Sequence, residues 1–223
     1  MTSTDQKIAV ILLGPPGAGK GTQAERLAKK FSLHMVATSA ILHEKIKNAV
    51  DDPEAQEAKR VMERGELVDS KLVTKWIIEE IAHLAEKGAS IIFDGSPRTL
   101  YEAEQEYYAL KREYDDNIYV FFISIPEEEI IFRNVHRRTC EQCKRSLIYS
   151  EETERLTACP YCGGKLIHRV DDDPEVIKAR IEQYNSRTMP VVNYFKDKKI
   201  LIEIDGKQSV DMVFEDIVES IMK

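Results

Sequence analysis

The sequence predicts an α/β fold: a doubly wound parallel sheet with helices on both faces, built around a phosphate-binding loop and carrying small inserts. Short apolar runs, typical of buried parallel strands, alternate along the chain with segments of helical spacing. The first apolar run passes directly into a glycine-rich stretch with a lysine, and a helix follows. Between about residues 139 and 168 the periodicity is lost, and cysteines and glycines appear instead. We therefore expect a core domain that binds its ligands at the carboxyl ends of its strands.

Length and composition favour one large domain, or one core domain with small inserts. The chain has 223 residues, of which 43% are hydrophobic, an ordinary fraction for a globular core. The net charge of −7 argues against a nucleic-acid duplex as the main partner, because the phosphate backbone would repel it. No apolar run reaches the ~18 residues of a membrane span, and the polar segment 1–6 lacks the apolar region of a signal peptide. We expect a cytoplasmic protein without membrane contact, and a monomer, because no exposed apolar helix seam is evident.

In the N-terminal half, apolar runs predict strands, and apolar residues that recur every three or four positions predict helices. Thr38-Ser39 is a candidate N-cap, Pro53 suits a first helical turn, and Gly65 is a candidate helix end. In order, the predicted elements are a strand at 8–13, a helix at 23–31, a strand at 34–37, helices at 40–50, 54–63 and 70–86, and a strand at 90–94.

The C-terminal half continues the alternation on both sides of the cysteine-containing insert. Pro126 begins a helix whose glutamates at 127–129 suit the positive end of the helix dipole, and this helix is expected to continue to about Arg138. In order, the predicted elements are a helix at 100–113, a strand at 117–125, a helix at 126–138, short strands at 147–149 and 165–167, a helix at 174–195, a strand at 200–204 and a helix at 210–222.

The glycine-rich stretch at 14–22, GPPGAGKGT, predicts the phosphate site. Glycines allow consecutive backbone N–H groups to converge on an anion, because no Cβ blocks the approach. The helix N-terminus adds a partial positive charge, and Lys20 adds a full one. The hydroxyl that usually follows such a lysine directly is displaced by one residue, since Gly21 precedes Thr22. The alternative, a glycine-rich turn with an unrelated lysine, does not account for the flanking strand and helix.

The four cysteines form two Cys-x-x-Cys pairs, Cys140 with Cys143 and Cys159 with Cys162, separated by fifteen residues. Each pair can bring two thiolates to one metal, and the two pairs together complete a tetrahedron. Four thiolates leave no open coordination position, so we expect a structural Zn²⁺, or iron in a purified sample. Disulfides or unrelated thiols are the alternative.

Arginines surround the cysteine-containing insert in the sequence. Guanidinium groups match phosphate oxygens and spread the charge that develops during phosphoryl transfer, although a run of charges is also typical of a solvated face. The arginines predicted to form a phosphate-binding cluster are Arg98, Arg133, Arg137, Arg169 and Arg180.

Asp94 is a candidate for binding Mg²⁺. It ends a predicted strand beside the glycine-rich loop, where a carboxylate suits Mg²⁺ bound through water. Its alternative role is to cap the turn at Gly95.

These motifs, in this order and spacing, resemble the adenylate kinases, within the nucleoside monophosphate kinases, in their long form with a zinc-bearing lid. The resemblance covers essentially the whole chain. The motifs that carry it are the loop at 14–22, Asp94-Gly95-x-Pro97-Arg98-Thr99, Arg133-x-x-x-Arg137-Arg138, the two cysteine pairs, Arg169-x-Asp171-Asp172, and Arg180.

The resemblance implies the reaction ATP + AMP ⇌ 2 ADP with Mg²⁺, and so nucleotides as the partners. It also implies three parts: a core formed by 1–37, 69–137 and 170–223, a monophosphate-binding helical insert at 38–68, and a zinc-binding lid at 138–169. A lid fits the chemistry, because the site must close and exclude water before the phosphoryl group moves.

Residue roles follow from the resemblance by matching position. The catalytic residues would be Lys20, Arg98, Arg137, Arg169 and Arg180. ATP would be bound by Gly14, Gly17, Ala18, Gly19, Lys20, Gly21, Thr22, Arg133 and Gln208. The monophosphate would be bound by Thr38, His43, Gly65, Val68, Gly95, Arg98 and Glu102, and Mg²⁺ by Asp94 through water.

Three positions depart from the family pattern, and all three fall on the monophosphate side. His43 replaces an arginine that normally grips the α-phosphate, Glu102 replaces a glutamine that reads the adenine edge, and Ser96 replaces an aromatic residue. A glutamate only accepts hydrogen bonds, which suits the donors of guanine or the amino group of cytosine. We expect AMP as the acceptor, with GMP or CMP as the alternative.

Two different functions would also fit some of the motifs: a non-catalytic zinc-ribbon nucleotide-binding module, and an ATPase that drives a partner.

Overall fold

The computed structural model describes residues 6–48, 52–63, 68–147, 149, 151–168 and 172–223. Gly65, Arg169 and Asp171, three residues that carry sequence predictions, lie outside the described residues. In chain order, the elements are β1 (Ala9–Leu13), α1 (Lys20–Phe31), β2 (His34–Ala37), α2 (Thr38–Asn48), α3 (Pro53–Glu63), α4 (Ser70–Glu86), β3 (Ile91–Asp94), α5 (Leu100–Tyr114), β4 (Ile118–Ser124), α6 (Glu127–Val135), β5 (Arg138–Cys140), β6 (Ser146–Leu147), α7 (Glu151–Glu154), β7 (Leu166–Ile167), α8 (Pro174–Gln183), a π-helical segment (Tyr184–Thr188), α9 (Met189–Asp197), β8 (Leu201–Asp205) and α10 (Val210–Met222).

The core of the molecule is a parallel sheet of five strands in the order β2-β3-β1-β4-β8. From β1 the chain first builds β2 and β3 on one side, then crosses to build β4 and β8 on the other. The topological switch point therefore lies at β1, and the crevice for a ligand is expected outside its carboxyl end. This confirms the predicted doubly wound parallel sheet.

The strands are buried on both faces because helices cover both. On one face, Ile11 and Phe93 pack with residues of α4, α5 and α9, including Trp76, Leu110 and Phe195. On the other face, residues of β1 and β4 pack with α1 and α10, including Val10, Phe121, Leu27 and Ile217. The alternation along each strand follows from the pleat, which sends successive side chains to opposite faces. Such double burial explains the nearly continuous apolar runs in the sequence.

A second, smaller sheet is antiparallel, with the order β6-β5-β7. It contains Cys140, and together with the other cysteines it forms what we call the cysteine module, the described residues between 138 and 168. Strand β5 and helix α7 of this module were not predicted.

Some of the helix predictions are wrong. Helix α6 ends at Val135 rather than at Arg138, because Arg138 pairs with Leu147 in the small sheet. Helix α2 begins at Thr38, directly after β2, so Thr38-Ser39 lies inside the helix and not before it. The helix predicted at 174–195 is interrupted by the π-helical segment. Pro190 follows this segment and lacks the N–H that a continuous α-helix needs there, which explains the interruption.

Within the part of the chain that the structure describes, no helix combines the length and the apolar character needed to cross a bilayer.

Candidate functional site

The glycine-rich loop connects β1 to α1 at the topological switch point. Its glycines allow close packing: a Cβ on Gly14 would lie 2.5 Å from the carbonyl oxygen of Ile123, and one on Gly17 would lie 2.6 Å from Asn134 Nδ2. The loop is therefore held between β4 and α6. Gly19 precedes α1 with a φ of 89°, which favours glycine, and no acidic residue lies in the first turn of the helix. The positive end of the α1 dipole is thus uncompensated, as an anion site requires.

Lys20 lies inside this loop, where its ammonium donates to the carbonyl oxygens of Gly14, at 2.7 Å, and Pro15, at 2.9 Å. The pKa of Lys20 is lowered to about 8, chiefly by burial and next by the positive charge of Arg98. The negative charge of Asp94 opposes this shift, whereas Arg180 and Arg137 add to it. Because such effects weaken with distance, Arg98, Asp94, Arg180 and Arg137 must all lie around the loop lysine. Four predicted site residues from three separate segments of the chain therefore lie around Lys20.

Arg137 forms an ion pair with Asp172 at the two ends of the cysteine module. Its Nη2 contacts Asp172 Oδ1, and its Nε donates to Asp172 Oδ2 at 3.1 Å. The Asp172 side chain is only 2% exposed, so this two-point contact lies in a largely water-free environment. The pair ties the chain entering the module to the chain leaving it.

Arg133 and Gln208 are both anchored at the connection between β8 and α10. Arg133 donates through Nη2 to the carbonyl oxygen of Gly206 at 2.8 Å and through Nε to Glu129 at 2.6 Å. Gln208 donates to Asp216 Oδ2 at 2.8 Å. The two residues predicted to contact ATP outside the loop are therefore both held in place at one edge of the site.

The residues predicted for the monophosphate lie on the β2–β3 side of the loop. Thr38 follows β2 beside Asp94, since Ala37 pairs with Asp94 in the sheet. The buried Thr38 Oγ1 has no hydrogen-bond partner among the described residues, so it is available to a ligand. Val68 packs against the core cluster, whereas His43 is exposed on α2.

Glu102 has a structural contact that the sequence did not reveal. Its Oε2 accepts from the backbone N–H of Arg98 at 2.6 Å, while Thr99 Oγ1 accepts from the backbone N–H of Glu102 at 3.3 Å. This reciprocal arrangement is close to a capping box at the start of α5. Arg98 itself folds back, and its Nε donates to the carbonyl oxygen of Gly95 at 2.6 Å.

Two further residues near the site were missed at the sequence level. Glu106 is fully buried and accepts from Ser96 Oγ at 2.6 Å. Its position in the inner stripe of α5, three residues after Ala103 and four before Leu110, is the signal that could have identified it. Asn134 is also fully buried, donates to the carbonyl oxygen of Ile130 at 2.7 Å and contacts the loop at Gly17. It resembles an ordinary helix residue in sequence.

The four cysteines converge as the spacing predicted. All four Sγ atoms lie within 4.8 Å of one another, with Cys140 and Cys162 at 3.5 Å and Cys143 and Cys159 at 3.7 Å. Tetrahedral Zn²⁺ with Zn–S bonds of about 2.3 Å places its sulfurs about 3.8 Å apart, so the donor set fits the ion. None of the four cysteines forms a disulfide in the structure, so all four sulfurs are available to a metal. The N–H of Cys143, which donates to Cys140 Sγ at 3.4 Å, is the main factor that lowers the pKa of Cys140 to about 6 and favours the thiolate.

The two cysteine pairs have the same backbone geometry. The N–H of Cys140 donates to the carbonyl oxygen of Arg145 at 2.9 Å, and the N–H of Cys159 donates to that of Gly164 at 2.8 Å. The residue after each second cysteine has a positive φ, 61° at Lys144 and 74° at Gly163. Both pairs are thus turns of the same kind, and a metal ion bound to all four sulfurs would join them.

Comparisons with known proteins agree with these motifs. A model of the adenylate kinase family matches residues 12–200. The adenylate kinase of Lachnospira eligens is 38% identical over 211 residues, which cover 94% of this chain and 98% of the relative. The adenylate kinases of Clostridium tetani and of the archaeon Archaeoglobus fulgidus are each 36% identical over 211 residues, covering 93% of this chain and 95% of the relative.

Proposed function

This chain belongs to the adenylate kinase family and is a kinase, and on that premise we propose that it transfers the γ-phosphoryl group of ATP to AMP, with Mg²⁺, to form two molecules of ADP. The observation that carries the proposal is the convergence of Arg98, Arg137 and Arg180 with Asp94 around Lys20, at the carboxyl ends of the strands. Phosphoryl transfer is catalysed mainly by positioning and by neutralising charge. A cluster of cations around one phosphate-binding loop supplies both.

On the donor side, the loop amides between Gly14 and Thr22, including those of Ala18 and Gly21, would bind the ATP phosphates, assisted by Lys20. In the structure the ammonium of Lys20 is held by two loop carbonyls. Phosphate oxygens would replace these carbonyls as its partners. Arg133 would stack on the base, with Gln208 nearby, since both lie at the β8–α10 connection.

On the acceptor side, Arg98 would grip the monophosphate, and Thr38, Val68 and Gly95 would line its pocket. The unpartnered hydroxyl of Thr38 supports this assignment. Glu102 already accepts from the backbone of Arg98, so its replacement of a glutamine does not by itself favour guanine or cytosine. His43, which is exposed on α2, would reach the phosphate only if the proposed insert at 38–68 closed over it.

The transferring group would be neutralised by Arg98, Arg137, Arg169 and Arg180. Arg137 would have to leave, or share, its contact with Asp172. When bound, Mg²⁺ would screen the phosphate charges, and Asp94 fits it because the carboxylate lies at the end of β3 close to Lys20.

The segment 138–169 would serve as a lid over the remaining core, 1–37, 69–137 and 170–223. The cysteine module touches the core through Arg145, whose Nε lies 3.7 Å from Glu25 Oε2 on α1. A second contact joins the ring of Tyr149 to that of Phe132 on α6, with centroids 5.1 Å apart. A structural Zn²⁺ on Cys140, Cys143, Cys159 and Cys162 would let the module move as one body.

The proposal is tested by a coupled assay of ADP formation from MgATP with AMP, GMP, CMP and UMP in turn. We expect AMP to give a kcat/KM at least about 100-fold above the other acceptors, because buried polar groups of the pocket would be left unpaired by the wrong base. A clear preference for GMP or CMP would contradict AMP as the acceptor. ATP hydrolysis without any acceptor would favour an ATPase that drives a partner, and absence of any transfer would favour a binding module.

A further inference from the structure

We propose that Ser96 and Glu106 form a buried positioning pair for the monophosphate site: Glu106 holds Ser96, and Ser96 fixes the turn that carries Arg98. The inference rests on the proposed function, in which Arg98 binds the monophosphate. It adds Glu106 as a positioning residue, one that acts through its neighbours without touching the substrate.

The contact between the two side chains is short and excluded from water. Ser96 Oγ donates to Glu106 Oε1 at 2.6 Å, and Ser96 is 4% exposed while Glu106 is 0% exposed. The pair lies among apolar residues of α5 such as Ala103 and Leu110. In such surroundings, deleting only one of two hydrogen-bonded side chains is costly, because the other is left buried without a hydrogen-bond partner.

Glu106 is suited to this role as a neutral acid. Its pKa is raised to about 8: burial is the largest cause, the hydrogen bond from Ser96 opposes the shift, and the negative charge of Glu102 one turn earlier adds to it. At neutral pH the side chain is therefore mostly protonated, so no full charge is buried. A neutral carboxyl group can hold Ser96 without the cost of an unpaired carboxylate in the core.

The turn that precedes α5 is held at four points, and Ser96 provides the one that reaches into the core. The carbonyl oxygen of Gly95 accepts from Arg98 Nε at 2.6 Å, and the N–H of Arg98 donates to Glu102 at 2.6 Å. The carbonyl oxygen of Arg98 accepts from Thr188 Oγ1 at 3.1 Å. These three contacts are made near the surface, whereas the Ser96–Glu106 contact is fully buried.

The position of Arg98 matters because its charge acts directly on Lys20. Gly95 has a φ of 86°, and a Cβ there would lie 2.9 Å from Arg98 Nη2, so the guanidinium packs tightly on the turn. Any shift of the turn at Ser96 would move the guanidinium with it. A displacement of about 1 Å is enough to weaken substrate positioning in an enzyme.

The test compares Ser96→Ala, Glu106→Leu and the double variant with the isosteric Glu106→Gln. Ser96→Ala and Glu106→Leu each remove the contact, so each should raise the KM for the monophosphate about fivefold or more and leave the KM for MgATP unchanged. The double variant should cost no more than one single variant, because both act on one contact. Glu106→Gln keeps a neutral acceptor for Ser96, so the monophosphate KM of this variant should stay within about twofold of the value for the unmodified protein.

Two outcomes would overturn the inference. One is a monophosphate KM within about twofold of the original value in both Ser96→Ala and Glu106→Leu. The other is an equal rise in the KM for MgATP, which would indicate a general structural effect. If Glu106→Leu does not fold, Ser96→Ala and Glu106→Gln still decide, since neither introduces a larger side chain. Failure of the proposed function is separate, because it would be seen in the unmodified protein as poor or absent transfer to AMP, whatever the variants do.

Discussion

Lys20 lies at the centre of the proposed phosphate site, and its surroundings determine its charge. Two loop carbonyls hold the ammonium, yet burial and the nearby arginines lower the pKa of Lys20 to about 8. The group is therefore mostly protonated at neutral pH, but it begins to lose its proton at mildly alkaline pH. Bound phosphates would add negative charge beside it and raise the pKa again.

We predict that ATP affinity falls as the pH rises above about 8, by up to about tenfold per pH unit, because the polyphosphate binds the protonated form of Lys20. The sign follows from linkage: a ligand that raises the pKa of a group binds with uptake of a proton and is weakened at higher pH. The measurement is the Kd for MgATP between about pH 7.5 and 9.5 by calorimetry.

Lys20→Ala removes the ammonium to which we assign this pH dependence. Lys29→Ala, at the exposed end of α1, is the control. We expect Lys20→Ala to show weak affinity with little change over this pH range, and turnover reduced by at least about 100-fold, while Lys29→Ala behaves as the unmodified protein. A pH dependence that persists unchanged in Lys20→Ala would contradict the assignment.

At the scale of single elements, the turns that carry the cysteines show how local sequence sets local geometry. Each turn ends in a residue with positive φ, but one turn has Gly163 at this position and the other has Lys144. Glycine adopts this conformation without steric cost, whereas a residue with a Cβ does not. The first turn therefore carries a strain that the second avoids.

We predict that Lys144→Gly raises the free energy of unfolding of the cysteine module by about 0.5–1 kcal/mol, whereas Gly163→Ala lowers it by a similar amount. A Cβ on Gly163 would meet no atom within 4 Å, so the loss would come from the backbone alone. Scanning calorimetry of the metal-loaded protein measures both shifts. Opposite signs are the distinguishing result, and stabilisation by both substitutions would exclude this explanation.

The position at which a helix ends is a second feature that the residues of the helix do not determine by themselves. The sequence placed α4 correctly, from Ser70 to Glu86, because Asp69 caps its start and accepts from two backbone N–H groups. It extended α6 to about Arg138, although the helix ends at Val135. Pairing of Arg138 with Leu147 in the small sheet decides where α6 stops.

At the scale of the whole molecule, the parallel sheet and the cysteine module have separate sources of stability. The sheet buries two apolar layers between helices, one on each face. The module has few buried apolar side chains among its described residues, so the free energy of metal binding would supply most of its stability.

We predict that Cys140→Ser, or removal of the metal by a chelator, lowers the unfolding midpoint of the module by more than ~5 °C while the core keeps its helical circular dichroism. The unmodified protein should contain one zinc ion per chain, and Cys140→Ser should contain less. Retention of a full zinc ion by Cys140→Ser would refute the four-cysteine site. Ser146→Ala, on the same small sheet but without a thiol, is the control that should keep the metal.

The amino-acid sequence by itself determined the parts of this protein that depend on neighbouring residues. Strand and helix alternation, the glycine-rich loop between a strand and a helix, and both cysteine turns were predictable, because burial periodicity, glycine conformation and cysteine spacing act within a few positions. The contacts between distant segments were decided only by the tertiary structure. Arg98 and Arg180 meet at Lys20, Asp172 pairs with Arg137, and Ser96 meets Glu106 because the packing of whole helices on the sheet brings them together. Such packing reflects many small free energies summed over the molecule, which no short stretch of sequence contains.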